Sequence, residues 1–422
     1  MTGSWLTVIA QSLLVYELTS SGVALGVIGA CQFLPVIFFS SWAGLVADRY
    51  DKRYTLLLLQ AAGLVQSVAL ALVATMDRPP VAVLCVFAAL RGTTAAFDLP
   101  IRRSMVVETV PPRLASNAIG LNSAVMASSL VCGSAIGGAL VALVGFSMAF
   151  LTNSATYVVA LVTLWRIRSA DLRAPEPMPR RRGQIGDSIS FIRKTGDLRI
   201  ALTLTALTGF AYNFPVVLPI LVSDGFGRST TSFTYIYSAL SVGSVCGALT
   251  IARRTVVDLR LLARLAAAFG VATIALGLNS AFLLAFPIAT SMGITGYALL
   301  AGSISVIQTN SEPSMRGRIV SFHSIASIGT WAVTAPFVGW LCEAAGPRIG
   351  ISATGATCLL AATWTRAQLP GGAPVAGWLR PRSIPTSRLR RWRRADRAPG
   401  EGVGACSAMP RSRADARDCP CR

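Results

Sequence analysis

Charge is scarce in this sequence. Of 422 residues only 13% are charged and 53% are hydrophobic, with a mean hydropathy of +0.60, whereas a soluble chain carries about 25% charged residues. The deficit excludes an ordinary soluble domain, because most of this surface has to face lipid or other apolar helices. Histidine is nearly absent: His323 stands alone, and one imidazole cannot build a metal cluster. It reads either as a proton switch or as a hydrogen-bonded packing residue. The nine cysteines form no framework. Cys31, Cys85, Cys132, Cys246, Cys342 and Cys358 are scattered singly through hydrophobic stretches, and Cys406, Cys419 and Cys421 lack paired metal-ligand spacing. No disulfide scaffold and no metal site are expected, and the first six read as small packing residues. No Gly-x-x-x-x-Gly-Lys phosphate loop occurs, so ATP is not the evident energy source. No catalytic constellation occurs either, so an enzyme is not expected.

What is present is a series of long apolar runs, at 2–17, 23–47, 54–76, 79–97, 114–142, 146–165, 199–222, 231–252, 259–278, 281–307, 317–342 and 347–365. About 20 apolar residues cross a hydrocarbon core of about 30 Å, so twelve crossings are expected. Lysine occurs only at Lys52 and Lys194, and 36 arginines carry the rest of a net charge of +20. Such a charge suggests nucleic acid, but its placement excludes that partner. Arg49, Lys52, Arg53, Arg102, Arg103, Arg113, Arg253, Arg254, Arg260, Arg264, Arg316 and Arg318 fall in alternate loops, and the other loops hold only Arg78, Arg228 and Arg348. Basic loops stay cytoplasmic, which predicts a multi-pass protein of the inner (plasma) membrane with both termini cytoplasmic.

The loop after the second run reads Gly-Leu-Val-Ala-Asp-Arg-Tyr-Asp-Lys-Arg, from Gly44 to Arg53. It resembles the signature loop between helices 2 and 3 of the major facilitator superfamily, which sets Gly and Leu ahead of Asp-Arg and a basic pair behind. Gly44, Leu45, Asp48, Arg49, Lys52 and Arg53 carry the resemblance, and Asp51 stands where the family usually has Gly. Gln-Phe-Leu-Pro at 32–35, Ala-Phe-Asp-Leu-Pro at 96–100 and Arg-Gly-Arg-Ile-Val-Ser at 316–321 look like the enterobactin-exporter and transmembrane secretion effector branch. That branch implies proton-driven efflux of an amphipathic small molecule, a siderophore or drug-like compound. It also implies membrane lipid as the surroundings, a monomer, and no cofactor beyond the proton gradient. Two rivals remain: an importer or facilitator on the same fold, and a non-transporting truncated membrane protein.

The expected fold is all-α integral membrane, twelve helices as two six-helix halves, 1–165 and 199–366. A faint repeat supports the halves: Ala115 to Ser123 echoes Arg318 to Ser324, and Gly44-Leu45-Val46 echoes Gly247-Ala248-Leu249. Between them, 166–198 reads as a cytoplasmic linker whose Ile185, Ile189 and Ile192 recur at helical spacing. This short amphipathic helix lies either on the inner leaflet or on the cytoplasmic loops. Residues 367–422 read as a disordered basic tail, either a membrane clamp through Leu389 to Arg394 or a low-constraint extension. The apolar stretch from Trp5 to Tyr16 gives about 18 Å of helix, so the first helix is expected to be truncated, with the chain starting inside it.

Several residues are candidates to carry transport. A charge inside a membrane helix is costly and faces a partner or a cavity. Arg91 is such a charge, at a position resembling the family's basic motif in helix 4, which implies ion coupling. The alternative is a structural ion pair with Asp98 or Glu108. The resemblance gives Asp48 the role of locking one state against the start of helix 11, with Ser314 as that helix's cap. The alternative is a loop carboxylate neutralising its arginines. Gly133, Gly137 and Gly138 resemble an antiporter element, with Ser134 in place of its proline, or form a plain packing face. Pro215 and Pro219 beside Asn213 mark an irregular helix of the sort that lines cavities. Gln11, Gln32, Gln60, Asn213 and Gln308 are candidate cavity polars or interhelical ties.

Overall fold

A computed structural model describes residues 2–111, 114–167, 184–229, 232–254, 256–311 and 315–369. Every regular element among them is helical: α1 (Thr2–Thr19), α2 (Gly22–Arg49), α3 (Lys52–Val73), α4 (Val81–Glu108), α5 (Ala115–Arg166), α6 (Gln184–Lys194), α7 (Gly196–Thr208), α8 (Phe214–Ile220), α9 (Phe233–Ala252), α10 (Leu259–Leu278), α11 (Phe282–Asn310), α12 (Arg316–Ser324), α13 (Thr330–Ala345) and α14 (Pro347–Gln368). Short polar side chains cap the starts of α2, α3 and α10. Ser21 caps α2 by accepting from the Ala24 N–H at 3.1 Å, and Asp258 caps α10 through the Leu261 N–H at 2.8 Å. Asp51, the departure from the loop pattern, caps α3 by accepting from the Tyr54 N–H at 2.7 Å.

By length and composition, nine segments among the described residues can cross a membrane, against the twelve runs expected. α1, the first arm of α5, and α14 account for the difference. Twelve of the 18 residues of α1 are buried, so neighbouring helices enclose it and it accommodates Gln11 and Ser12, while Glu17 near its end is exposed. α14 carries Arg348 and Arg366 near its ends and a run of Ser and Thr between. Many side chains in the first arm of α5 lie outside the described residues. α1 is longer than the stretch from Trp5 to Tyr16 that suggested a short helix, about 27 Å at 1.5 Å per residue.

α5 has 52 residues, far too long for one crossing, and it doubles back at Gly145. There φ is 81° and ψ 175°, a conformation that a Cβ would oppose. The returning arm packs on α3, where the Ser67 hydroxyl donates to the Phe150 carbonyl at 2.9 Å. The irregular helix expected at Pro215 and Pro219 is there. After α7 come a 3-10 turn at Gly209–Tyr212, then α8, then a π turn at Leu221–Gly225. Pro215 sits in the first turn of α8, where a missing N–H costs nothing. Pro219 withholds a donor inside it, and the ladder slips into the π turn that follows. A second π turn, Ile325–Gly329, joins α12 to α13.

α1 to α5 pack mainly on one another, as do α7 to α14. The two groups meet where α2 runs along α13, where α5 meets α9, and where α1 meets α8. α6 packs on α7 and α12, with Ser188 buried and Phe191 and Ile192 against the core. The rest of the linker from 168 to 183, and the tail from 370, lie outside the described residues.

Candidate functional site

A cavity lies on the seam between the two groups. Trp5, Ser12, Gln32 and Phe33 line it from the first group, and Tyr212, Asn213, Pro215, Tyr237, Tyr297 and Trp331 from the second. It encloses only about 30 Å³, roughly one water, so the rings have closed on one another. Phe33 meets Trp331 edge-on across the seam at 5.8 Å, and Tyr212 lies 5.6 Å from Trp331. The broken helix around α8 is what turns Tyr212 and Asn213 to this point. The Tyr212 hydroxyl donates to the Gly296 carbonyl at 2.6 Å, and the Asn213 amide donates to Thr334 Oγ1 at 2.9 Å. Trp331 Nε1 is buried without a hydrogen-bond partner among the described residues.

Above the cavity, toward the Ser21 end of α2, the seam is tight. A Cβ on Gly26 would strike the Ala335 carbonyl, and one on Gly339 the Gly22 carbonyl. Only glycine lets α2 and α13 approach backbone to backbone. At the same end Glu343 Oε1 accepts from the Ser21 hydroxyl at 2.6 Å and from the Val23 N–H at 3.1 Å. The Tyr16 hydroxyl donates to Asp224 Oδ1 at 3.0 Å. On the other flank Gly138 of α5 faces Thr234 of α9. Gly133 and Gly137 face Thr2, Trp5 and Leu6 of α1, so all three form a packing face. The Ser134 side chain lies outside the described residues.

A second polar cluster lies inside the first group. Asp98 accepts from Arg102 Nε at 3.0 Å and Nη2 at 2.7 Å, and from Gln60 Nε2 at 2.7 Å. Glu108 pairs with Lys52. The two carboxylates named as alternatives for Arg91 are thus engaged elsewhere, and the structural ion pair is not formed. Arg91 Nε is buried without a hydrogen-bond partner among the described residues. Arg53 donates to the carbonyls of Leu164 and Trp165 at 2.9 and 2.7 Å, where a cation suits the end of a helix. Gly44, Asp48 and Arg49 are placed on the backbone of α2, and their side chains lie outside the described residues, as does Ser314.

Of the five candidate cavity polars, Gln32 and Asn213 line the seam cavity. Gln11 sits behind, donating to the Leu84 carbonyl at 2.8 Å and accepting from Gln32. Gln60 belongs to the Asp98 cluster. Gln308 is exposed near the end of α11 and does not line the seam cavity, because that part of the helix has passed beyond it. His323 is buried, and its Nε2 has no hydrogen-bond partner among the described residues. Sequence reasoning looked for polar residues and missed the aromatics Trp5, Phe33, Tyr212, Tyr237, Tyr297 and Trp331. Aromatic side chains are ordinary in apolar helices, so composition alone gave no signal.

This architecture is that of the major facilitator transporters. A bacterial homologue of the human lysosomal transporter Spinster, solved inward-facing and unoccupied, matches 87% of this chain and 94% of its own with a TM-score of 0.65 at 16% identity. A D-xylose–proton symporter matches 87% and 96% with a TM-score of 0.68 at 12% identity. These likenesses concern the fold. The family described as transmembrane secretion effector matches residues 1–374, and the chain belongs to it, a multi-pass membrane family of the major facilitator superfamily whose members are transporters and not enzymes. The staphyloferrin A transporter of Staphylococcus aureus is 24% identical over 59% of this chain and 63% of its own length. The multidrug efflux pump Tap of Mycobacterium tuberculosis is 25% identical over 82% of this chain and 84% of its own. The match spans less than two thirds of the staphyloferrin A transporter, and 48% of the transporter YfiS of Bacillus subtilis.

Proposed function

We propose that this chain is a proton-coupled exporter of an amphipathic small molecule, siderophore or drug-like, working by alternating access in the inner membrane. On this reading it is a monomer with twelve crossings, in halves 1–165 and 199–366, and both termini are cytoplasmic. The observation that carries the reading is the aromatic cavity on the seam, sealed at the Ser21 end. A cavity shared by two helix groups opens to either side as the groups rock, and aromatic faces with a few polar groups suit an amphipathic ligand. The names of two relatives, a siderophore transporter and a multidrug efflux pump, support the substrate class.

In this scheme the Ser21 end faces outward, and the structure is the outward-closed state. Asp48 locks the opposite end in the other state, against the start of α12. Arg91 and Asp98 serve proton coupling: a proton on Asp98 weakens its hold on Arg102 and Gln60, freeing α4 to move against α3. Glu108 acts through Lys52, tying α4 to the start of α3, just beyond the end of α2 that carries Asp48.

The test is flux of a planar amphipathic dye in inverted vesicles holding normalised amounts of protein. Export predicts dye uptake into inverted vesicles driven by an imposed proton gradient and abolished by an uncoupler. Flux only in the opposite direction would make the chain an importer. Absence of flux for a panel of siderophores and drugs would leave a non-transporting membrane protein.

A further inference from the structure

Arg91 faces a second pocket, inside the first helix group and away from the seam. It is lined by Ser4, Gln60, Arg91, Asp98, Arg102 and Tyr157, among others, from α1, α3, α4 and α5, and encloses about 120 Å³. That is room for roughly four waters at about 30 Å³ each. Sites for drug-sized ligands run to about 300–1,000 Å³, so in this state the pocket admits only a small species.

The charges around this pocket do not cancel. Asp98 is held by Arg102 and Gln60, and Glu108 by Lys52. Arg91 is left over: its guanidinium has no carboxylate partner among the described residues, and its buried Nε has no hydrogen bond. Buried charges are paired as a rule, because an uncompensated one pays the full cost of leaving water. Water satisfies an N–H but leaves the charge uncompensated. Tyr157 stands beside Arg91, with Ser4 and Asn153 nearby. It has space there because residue 63 of α3 is glycine, where a Cβ would strike the tyrosine ring.

We propose that this pocket binds a small monovalent anion of halide size, held by the Arg91 guanidinium with the Tyr157 hydroxyl alongside. Two arginines and one aspartate leave a single positive charge, which matches one negative charge and disfavours a divalent anion. The site does not depend on the direction or substrate of transport.

Thermal unfolding of the purified full chain in detergent tests it, in sodium chloride, bromide, nitrate, sulfate or gluconate at constant ionic strength. A saturable rise in Tm is expected with chloride, bromide and nitrate, and none with sulfate or gluconate. Asp98→Asn removes the neighbouring negative charge and should lower the half-saturating concentration severalfold, and Arg91→Gln should abolish the rise. If Arg91→Gln does not fold, crystals of the parent grown from bromide should show an anomalous peak beside Arg91. A parent Tm indifferent to the anion, or bromide crystals with no peak in the pocket, would overturn the proposal and leave water as the occupant.

Discussion

Glu343, at the end of α13, caps the start of α2. Its Oε1 accepts from the Ser21 hydroxyl at 2.6 Å and the Val23 N–H at 3.1 Å, while Ser21 itself accepts from the Ala24 N–H. A carboxylate from one helix group thus sits on the positive end of a helix of the other. α2 and α13 run antiparallel along the seam, and Asp48 lies at the end of α2. The proposed Asp48 lock on α12 would therefore be the counterpart of Glu343 at the other end of the same pair.

Opposite signs are expected for the two neutral variants. A carboxylate at a helix start contributes about 0.3–2 kcal/mol, which shifts a two-state equilibrium roughly 2- to 30-fold. Glu343→Gln should raise the outward-open population and Asp48→Asn the inward-open one. Labelling of a cysteine at Ser12 by an impermeant maleimide, in a cysteine-depleted background, reads both. Shifts of the same sign, or none, would show that the two carboxylates are not paired latches.

Gly26→Val should jam the seam. The added side chain meets the Ala335 carbonyl and Pro336, and overpacking costs about 1–3 kcal/mol. Expression should survive while transport falls and outside labelling at Ser12 rises, since only the sealed state needs this contact. Parental flux with unchanged labelling would mean that the seam does not close this tightly during the cycle.

Arg91→Ala should abolish gradient-driven flux while leaving the protein in the membrane, because no ion pair is lost with it. Arg91→Lys should rescue only in part, since an ammonium lacks the planar donor fork. Flux assays on normalised protein check this, and parental rates in both variants would make Arg91 structural.

Trp331→Phe keeps the ring against Phe33 and Tyr212 but removes the one buried N–H of that side chain, which finds no partner among the described residues. If that donor serves the substrate, the apparent KM should rise roughly 2- to 13-fold, the worth of a net hydrogen bond of about 0.5–1.5 kcal/mol, with little change in maximal rate. An unchanged KM would remove Trp331 from the recognition surface.

The sequence by itself determined that this is a membrane protein of many helices. Apolar runs longer than 18 residues leave no other way to satisfy the backbone, and the loop from Gly44 to Arg53 carried the family. It also showed where the seventh run must break, since Pro215 and Pro219 act locally through their missing donors. Partnership was decided only by tertiary structure. Asp98 and Arg102 are four apart on one helix, so their pairing is legible in the sequence. Nothing in the order of residues says that Gln60 joins them, that Glu108 holds Lys52, or that Arg91 has no carboxylate partner among the described residues. Nor does it say that Phe33 and Trp331, nearly 300 residues apart, close one cavity. Such pairings depend on how helices rotate and cross: the spacing of Gly22 and Gly26 marks a face fit for close packing, but not that α13 is the helix it meets.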